Sequence, residues 1–138
     1  MEIKTYEIPD DIVTLSVTAV KFPEGVKDAF QTLASSVPDF HNRRMYGISE
    51  QINGGLLYKA CVDQNSPAEP EKFHVDSSII PKGTYLLLTL NDWQEHMELF
   101  PQYFEQLLKH PNAKKNSIGV EIYQSSKEVL LLVERDRA

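Results

Sequence analysis

Met45-Tyr46-Gly47-Ile48-Ser49 and Leu56-Leu57-Tyr58-Lys59-Ala60-Cys61-Val62 flank Asn53-Gly54-Gly55. Short runs rich in apolar, aromatic and β-branched residues read as strands, and Asn-Gly-Gly tolerates the positive φ that a tight hairpin demands. Farther along, Ile118-Gly119-Val120-Glu121-Ile122-Tyr123 and the run from Val129 to Glu134 form a second pair of this kind. Gly47 falls on Gly119 at a separation of 72 residues, and Leu57 on Leu130 at 73.

Reading outward from the two pairs, the order repeats. From Val26 to Val37, apolar residues at Val26, Ala29, Phe30, Leu33 and Val37 follow helical spacing, and Pro38 closes the run. Met97, Phe100, Phe104, Leu107 and Leu108 do the same before the second pair, with Asp92 and Glu95 as a capping box and Pro101 as a kink or a later start. Upstream of each helix lies a strand, residues 12–20 and residues 84–90. Leu15 maps on Leu87 at a separation of 72, and Val26 on Met97 at 71. A nearly constant separation over four elements indicates an internal duplication. Residues 63–76, polar and carrying Pro67 and Pro70, read as a loop joining the halves. The expected fold class is α+β: duplicated βαββ units with pseudo-two-fold symmetry. Their antiparallel-rich sheet would carry helices on one face and a ligand groove on the other. One domain spans 1–138, with halves at about 1–63 and 76–138.

Composition narrows the function. The net charge of -6 argues against a phosphate-gripping surface, and Arg43-Arg44 and Lys114-Lys115 are isolated pairs, so no direct nucleic-acid partner is expected. The single cysteine, Cys61, rules out an internal disulfide and suits a reducing compartment. Residues 1–11 carry no signal-peptide run and no stretch reaches membrane-spanning length, so a cytoplasmic protein with no membrane partner is expected. His41, His74, His96 and His110 show no paired ligand spacing. No metal and no cofactor are therefore expected, and no nucleophile elbow or phosphate-cradling loop occurs.

The residue most suited to a site is Glu121. Side chains alternate along a strand, so Ile118, Val120 and Ile122 share one face, which would pack on the helices, while Gly119, Glu121 and Tyr123 share the other. A carboxylate inside a strand is costly to bury unless compensated, and a cationic ligand between aromatic walls would compensate it. The duplication pairs Glu121 with Ser49, so the groove would hold one acid. Tyr123 is the first candidate wall, followed by Tyr85, Tyr46 and Trp93. Phe100 and Phe104 lie on the helix stripe and read as core.

Four motifs in this order resemble the GyrI-like, or AraC-type effector-binding, domain family. They are Met45-Tyr46-Gly47-Ile48, the strand from Leu56 to Val62, Ile80-Pro81-Lys82-Gly83-Thr84-Tyr85, and Val120-Glu121-Ile122-Tyr123 with the closing run from Val129 to Val133. The resemblance covers nearly the whole chain. It implies two fused βαββ units that bind amphipathic, cationic aromatic small molecules against a buried glutamate. It implies a bacterial, stand-alone member, since the chain has no room for the DNA-binding domain of the family's regulators. Two alternatives come with it: a hydrolase of strained, cyclopropane-type molecules using the same glutamate, and a protein that inhibits an enzyme such as DNA gyrase by contact. A protein partner or a homodimer stays open.

Overall fold

The computed structural model describes residues 2–53 and 55–136. Eight strands form one antiparallel sheet, curled into a half-barrel, with a few helices: an α+β fold. The strands are β1 (Lys4–Ile8), β2 (Ile12–Thr18), β3 (Met45–Ile52), β4 (Gly55–Asp63), β5 (Asp76–Ile80), β6 (Gly83–Asn91), β7 (Gly119–Tyr123) and β8 (Glu128–Glu134). The helices are α1 (Val26–Ser36), α2 (Glu69–Phe73) and α3 (Phe100–Lys109). Gly54, expected in the β3–β4 turn, lies outside the described residues. The flanking pair Ile52 and Gly55 closes the hairpin there.

The strand order β1-β6-β8-β7-β3-β4-β2-β5 reads the same from either end when β1–β4 are exchanged with β5–β8. Its axis passes through the cross-strand pair Ile48 and Val120, themselves 72 residues apart. Two rows across the sheet follow from the pairings. One runs Val17, Ala60, Gly47, Glu121, Leu131, Leu88; the other runs Leu86, Val133, Gly119, Ser49, Tyr58, with Ala19 beyond. The rows make Ser49 the counterpart of Glu121, as expected, and Leu131 the counterpart of Tyr58. In the first strands they correct the separation: Val17 corresponds to Leu86, 69 residues on. Leu15 is thus not the counterpart of Leu87, and the odd offset puts those two on opposite faces.

Three local expectations also change. Residues 4–8 and 76–80 were not foreseen as strands, yet β1 pairs with β6 and β5 with β2, so each half lends its first strand to the other. The segment expected to be all loop contains α2, whose Glu69 is tied to Arg43. The capping box is not formed: Asp92 is left-handed at φ 54 and makes no capping bond. Helix α3 begins at Phe100 with Pro101 in its first turn, where the missing N–H costs nothing.

Both faces of the sheet are buried, by different means. Leu15 and Val62 of the sheet pack against Leu33 of α1 and Val37 at its end, and Leu88, Leu131 and Val133 against Leu107 of α3. On the other face Ile8, Tyr46, Ile48, Ile80, Tyr85, Val120, Ile122 and Leu132 pack on one another without a helix. Curling brings these strands' own side chains together, and each large one contributes about 1.5–3 kcal/mol by burial. The expectation that Val120 and Ile122 face the helices is reversed: the Glu121 face is the helix face.

Candidate functional site

Glu121 sits mid-strand in β7, paired across β3 with Gly47, and is only 7% exposed. The glycine makes the placement possible. A Cβ on Gly47 would run into the Tyr58 hydroxyl and Glu121 Oε1. Tyr58 Oη donates to Glu121 Oε1 at 2.7 Å, and Tyr123 Oη donates to the same atom at 2.6 Å. Tyr123 follows from strand alternation, two residues on. Tyr58 comes from β4, one row over. Burial raises the Glu121 carboxyl above its ordinary range, and the bonds from Tyr123 and Tyr58 offset only part of this. Burial, and then the Glu121 charge, hold both phenols well above theirs, so they stay protonated donors.

Both phenols use Oε1. Among the described residues no buried polar side-chain atom lacks a partner, so Oε2, which receives no bond, is not sealed off. Glu121 lines a cavity of about 400 Å³ that takes residues from both halves. Its floor is Ser49, Gln51, Leu56 and Tyr58 of the β3–β4 hairpin with Gly119 and Glu121 of β7; α3 walls it with Phe100, Pro101, Phe104, Leu108 and Lys109; Phe22 stands at its edge. Gly119 is the second permissive glycine: a Cβ there would lie 2.6 Å from Ser49 Oγ and 3.1 Å from Phe104 Cε1. Phe22 stacks on Tyr58 at 5.6 Å between ring centres. Phe22, Leu56 and Leu108 are partly exposed, giving the mouth an apolar rim. Such a cavity admits an apolar body and presents it with the Glu121 carboxyl, while the Glu105–Lys109 ion pair, 2.8 Å apart, also stands in its α3 wall.

The five residues expected at the site separate into two groups. Glu121, Tyr123 and Trp93 come together on the helix face. Trp93 meets Tyr123 at 4.9 Å and donates its Nε1–H to Ser125 O at 3.1 Å, and Phe30 of α1 meets Tyr123 at 6.3 Å. Tyr123 and Trp93 support the acid without lining the cavity. Tyr46 and Tyr85 are corrected: both are buried on the helix-free face, bonded to Asp63 Oδ1 and Pro81 O respectively. Tyr46 pairs with Ile122 and Tyr85 with Glu134, positions of opposite parity to Glu121 and its partner Leu131. Phe100 and Phe104, expected as core, contribute to the α3 packing and also line the cavity. Tyr58 was missed. Its signal was its place in the β3–β4 hairpin, nine residues after Ser49, which pairs with it across the turn.

The fold is a known one. The V. cholerae mobile-metagenome integron cassette protein VCH_CASS2 superposes with a TM-score of 0.67 at 14% identity, over 96% of this chain and 95% of its own. SAV2435, solved bound to tetraphenylphosphonium, gives 0.64 at 14% identity over 97% and 94%. A structure described as a hydrolase from Listeria innocua gives 0.61 at 11% identity over 98% and 92%. No protein-family model and no curated protein matches the sequence. At these identities the likeness establishes the shared fold. Among the described residues no helix is long and apolar enough to cross a membrane.

Proposed function

We propose that this chain is a GyrI-like binding module that takes amphipathic, cationic aromatic small molecules into the α3-side cavity and releases them unchanged. The observation that carries the reading is a buried carboxylate with one oxygen clamped by Tyr58 and Tyr123 and the other free beside an apolar cavity. A carboxylate held out of water without a neighbouring cation is unfavourable, and a bound cation would repay that cost. Support also comes from SAV2435, which shares the fold and was solved with a cationic aromatic ligand.

The test uses tetraphenylphosphonium and the intrinsic fluorescence of Trp93, the chain's one tryptophan, which lies against Tyr123. Saturable binding by the wild type, weakened about tenfold in Glu121→Gln, is the expected result, because the amide gives up the carboxylate's Coulomb attraction for the cation, about 1 kcal/mol at 4 Å in water and more where water is excluded. Equal affinity in the two proteins sinks the reading.

A hydrolytic reading has one observation in its favour. The raised Glu121 carboxyl and the two phenols touching it are groups able to accept and return a proton. Steady turnover of a strained-ring substrate that stops in Glu121→Gln would put this reading first.

A further inference from the structure

Resting on the binding reading above, we infer that the preferred ligand is a protonated amine carrying an N–H, and not a permanently alkylated cation. The geometry around Glu121 makes the distinction. A carboxylate has lone pairs for about four hydrogen bonds. Both protein donors, Tyr58 Oη and Tyr123 Oη, converge on Oε1. Oε2 accepts nothing from the described residues, and Glu121 lines the cavity. Beside it on the same sheet face, Ser49 Oγ hangs over Gly119, two residues before Glu121. That hydroxyl also lines the cavity, and its one bond, to Gly119 O, is stretched to 3.5 Å. No donor among the described residues reaches it. The polar end of the cavity therefore presents two unused acceptors, one of them acidic.

Acceptors of this kind discriminate between cations of equal charge. A quaternary nitrogen is sheathed in carbon, so it satisfies Oε2 by Coulomb attraction alone and leaves its lone pairs unbonded. An ammonium N–H approaches to ordinary hydrogen-bond distance and gains the charge-assisted bond as well. Ser49 Oγ offers a second acceptor to an amine with more than one N–H. The rest of the ligand is largely apolar, because Phe22, Leu56, Phe104 and Leu108 supply its surface, and the acid and cation of α3 in the lining, Glu105 and Lys109, are paired with each other. The substrate class is an aryl or arylalkyl amine.

The experiment compares two probes on the full chain at one pH near 7.5: a biphenylmethyl dimethylamine, protonated there, and the trimethylammonium salt of the same scaffold. They differ by one methyl group and carry the same charge. Calorimetric titration of the wild type should give roughly tenfold tighter binding of the tertiary amine. Glu121→Gln should bring the two probes within about twofold of each other. Equal affinity in the wild type, or a preference for the quaternary salt, overturns the inference, and the wild-type comparison does not depend on any variant folding. If both probes bind alike and both lose affinity in Glu121→Gln, the cation-binding reading stands and the N–H preference falls. If neither probe binds, or if Glu121→Gln changes neither affinity, both fall together.

Discussion

Glu69 and Glu121 are both nearly buried, 8% and 7% exposed, and have opposite fates. Glu69 receives Arg43 on both oxygens, at 2.8 and 2.7 Å, and the Asn65 amide at 2.6 Å. The Arg43 bonds hold its carboxyl down at about 2, against the opposing pull of burial. Arg43 in turn also bonds Asp39, so the corner is closed by charge pairing. Glu121 has only phenols for company, and burial wins, raising its carboxyl. A paired acid with every oxygen used fastens α2 to the start of β3. An unpaired one with an oxygen to spare, beside a cavity, is left in a state that a ligand can relieve. Burial alone does not separate these two acids; the count of satisfied oxygens does.

The largest effect expected from breaking this contrast is at the paired acid. Arg43→Ala should cost about 3 kcal/mol in urea denaturation, because it strands a charge that the fold cannot easily rehydrate. Little loss would mean that the corner opens to water and that the two acids are alike.

Gly47→Ala comes next, since its methyl must displace the Tyr58–Glu121 bond. A loss of about 1–3 kcal/mol with cation binding abolished is expected. Retention of wild-type affinity would separate the phenol clamp from the site.

The pH dependences sharpen the comparison through their signs. Glu69, with its lowered native value, contributes stability above about 4.5 that is lost as pH falls through about 2. Glu121, with its raised native value, favours the fold below 4.5, and that contribution is lost as pH rises through the raised value. Glu121→Gln should therefore match or exceed wild-type stability at pH 8 and flatten the slope above pH 4.5. Cation affinity should run the other way, falling as pH drops through the raised value in the wild type and staying level in Glu121→Gln. Parallel stability curves for the two proteins between pH 4 and 8 would show that Glu121 is not destabilised by burial.

The smallest effect separates the two donors. Tyr58→Phe and Tyr123→Phe each remove one bond to Oε1, worth about 1 kcal/mol, and should push the Glu121 carboxyl further up. Tyr58 lines the cavity and stacks on Phe22, whereas Tyr123 is backed by Trp93 and Phe30. Carboxyl titration followed by NMR should show an upward move in both variants. No move in either would remove the phenols from the electrostatics of the site.

Much of this protein was determined by its sequence alone. Hydrophobic periodicity placed α1, α3 and six of the strands, since each element must turn one apolar side to a core. The separation of 72 between Gly47 and Gly119, repeated with little change in other elements, pointed to the duplication, and the Ile48–Val120 pairing then placed its axis. Alternation joined Gly119, Glu121 and Tyr123 on one side, a relation internal to one strand. Even the missed strands left a trace, as Ile8-Pro9 recurs in Ile80-Pro81, but Lys4–Ile8 and Asp76–Ile80 are too polar to stand out as strands.

Tertiary structure decided the rest. Parity within a strand says nothing of which side the helices cover, and a sheet that curls can bury its helix-free face unaided, so Val120 and Ile122 needed no helix. Whether a tyrosine on another strand shares the face of Glu121 depends on register, which no local pattern encodes. Register sent Tyr46 and Tyr85 to the far side and brought Tyr58 to Oε1. The free oxygen of Glu121 is a fact of the same kind: it exists because two hydroxyls from different strands converge on the other one.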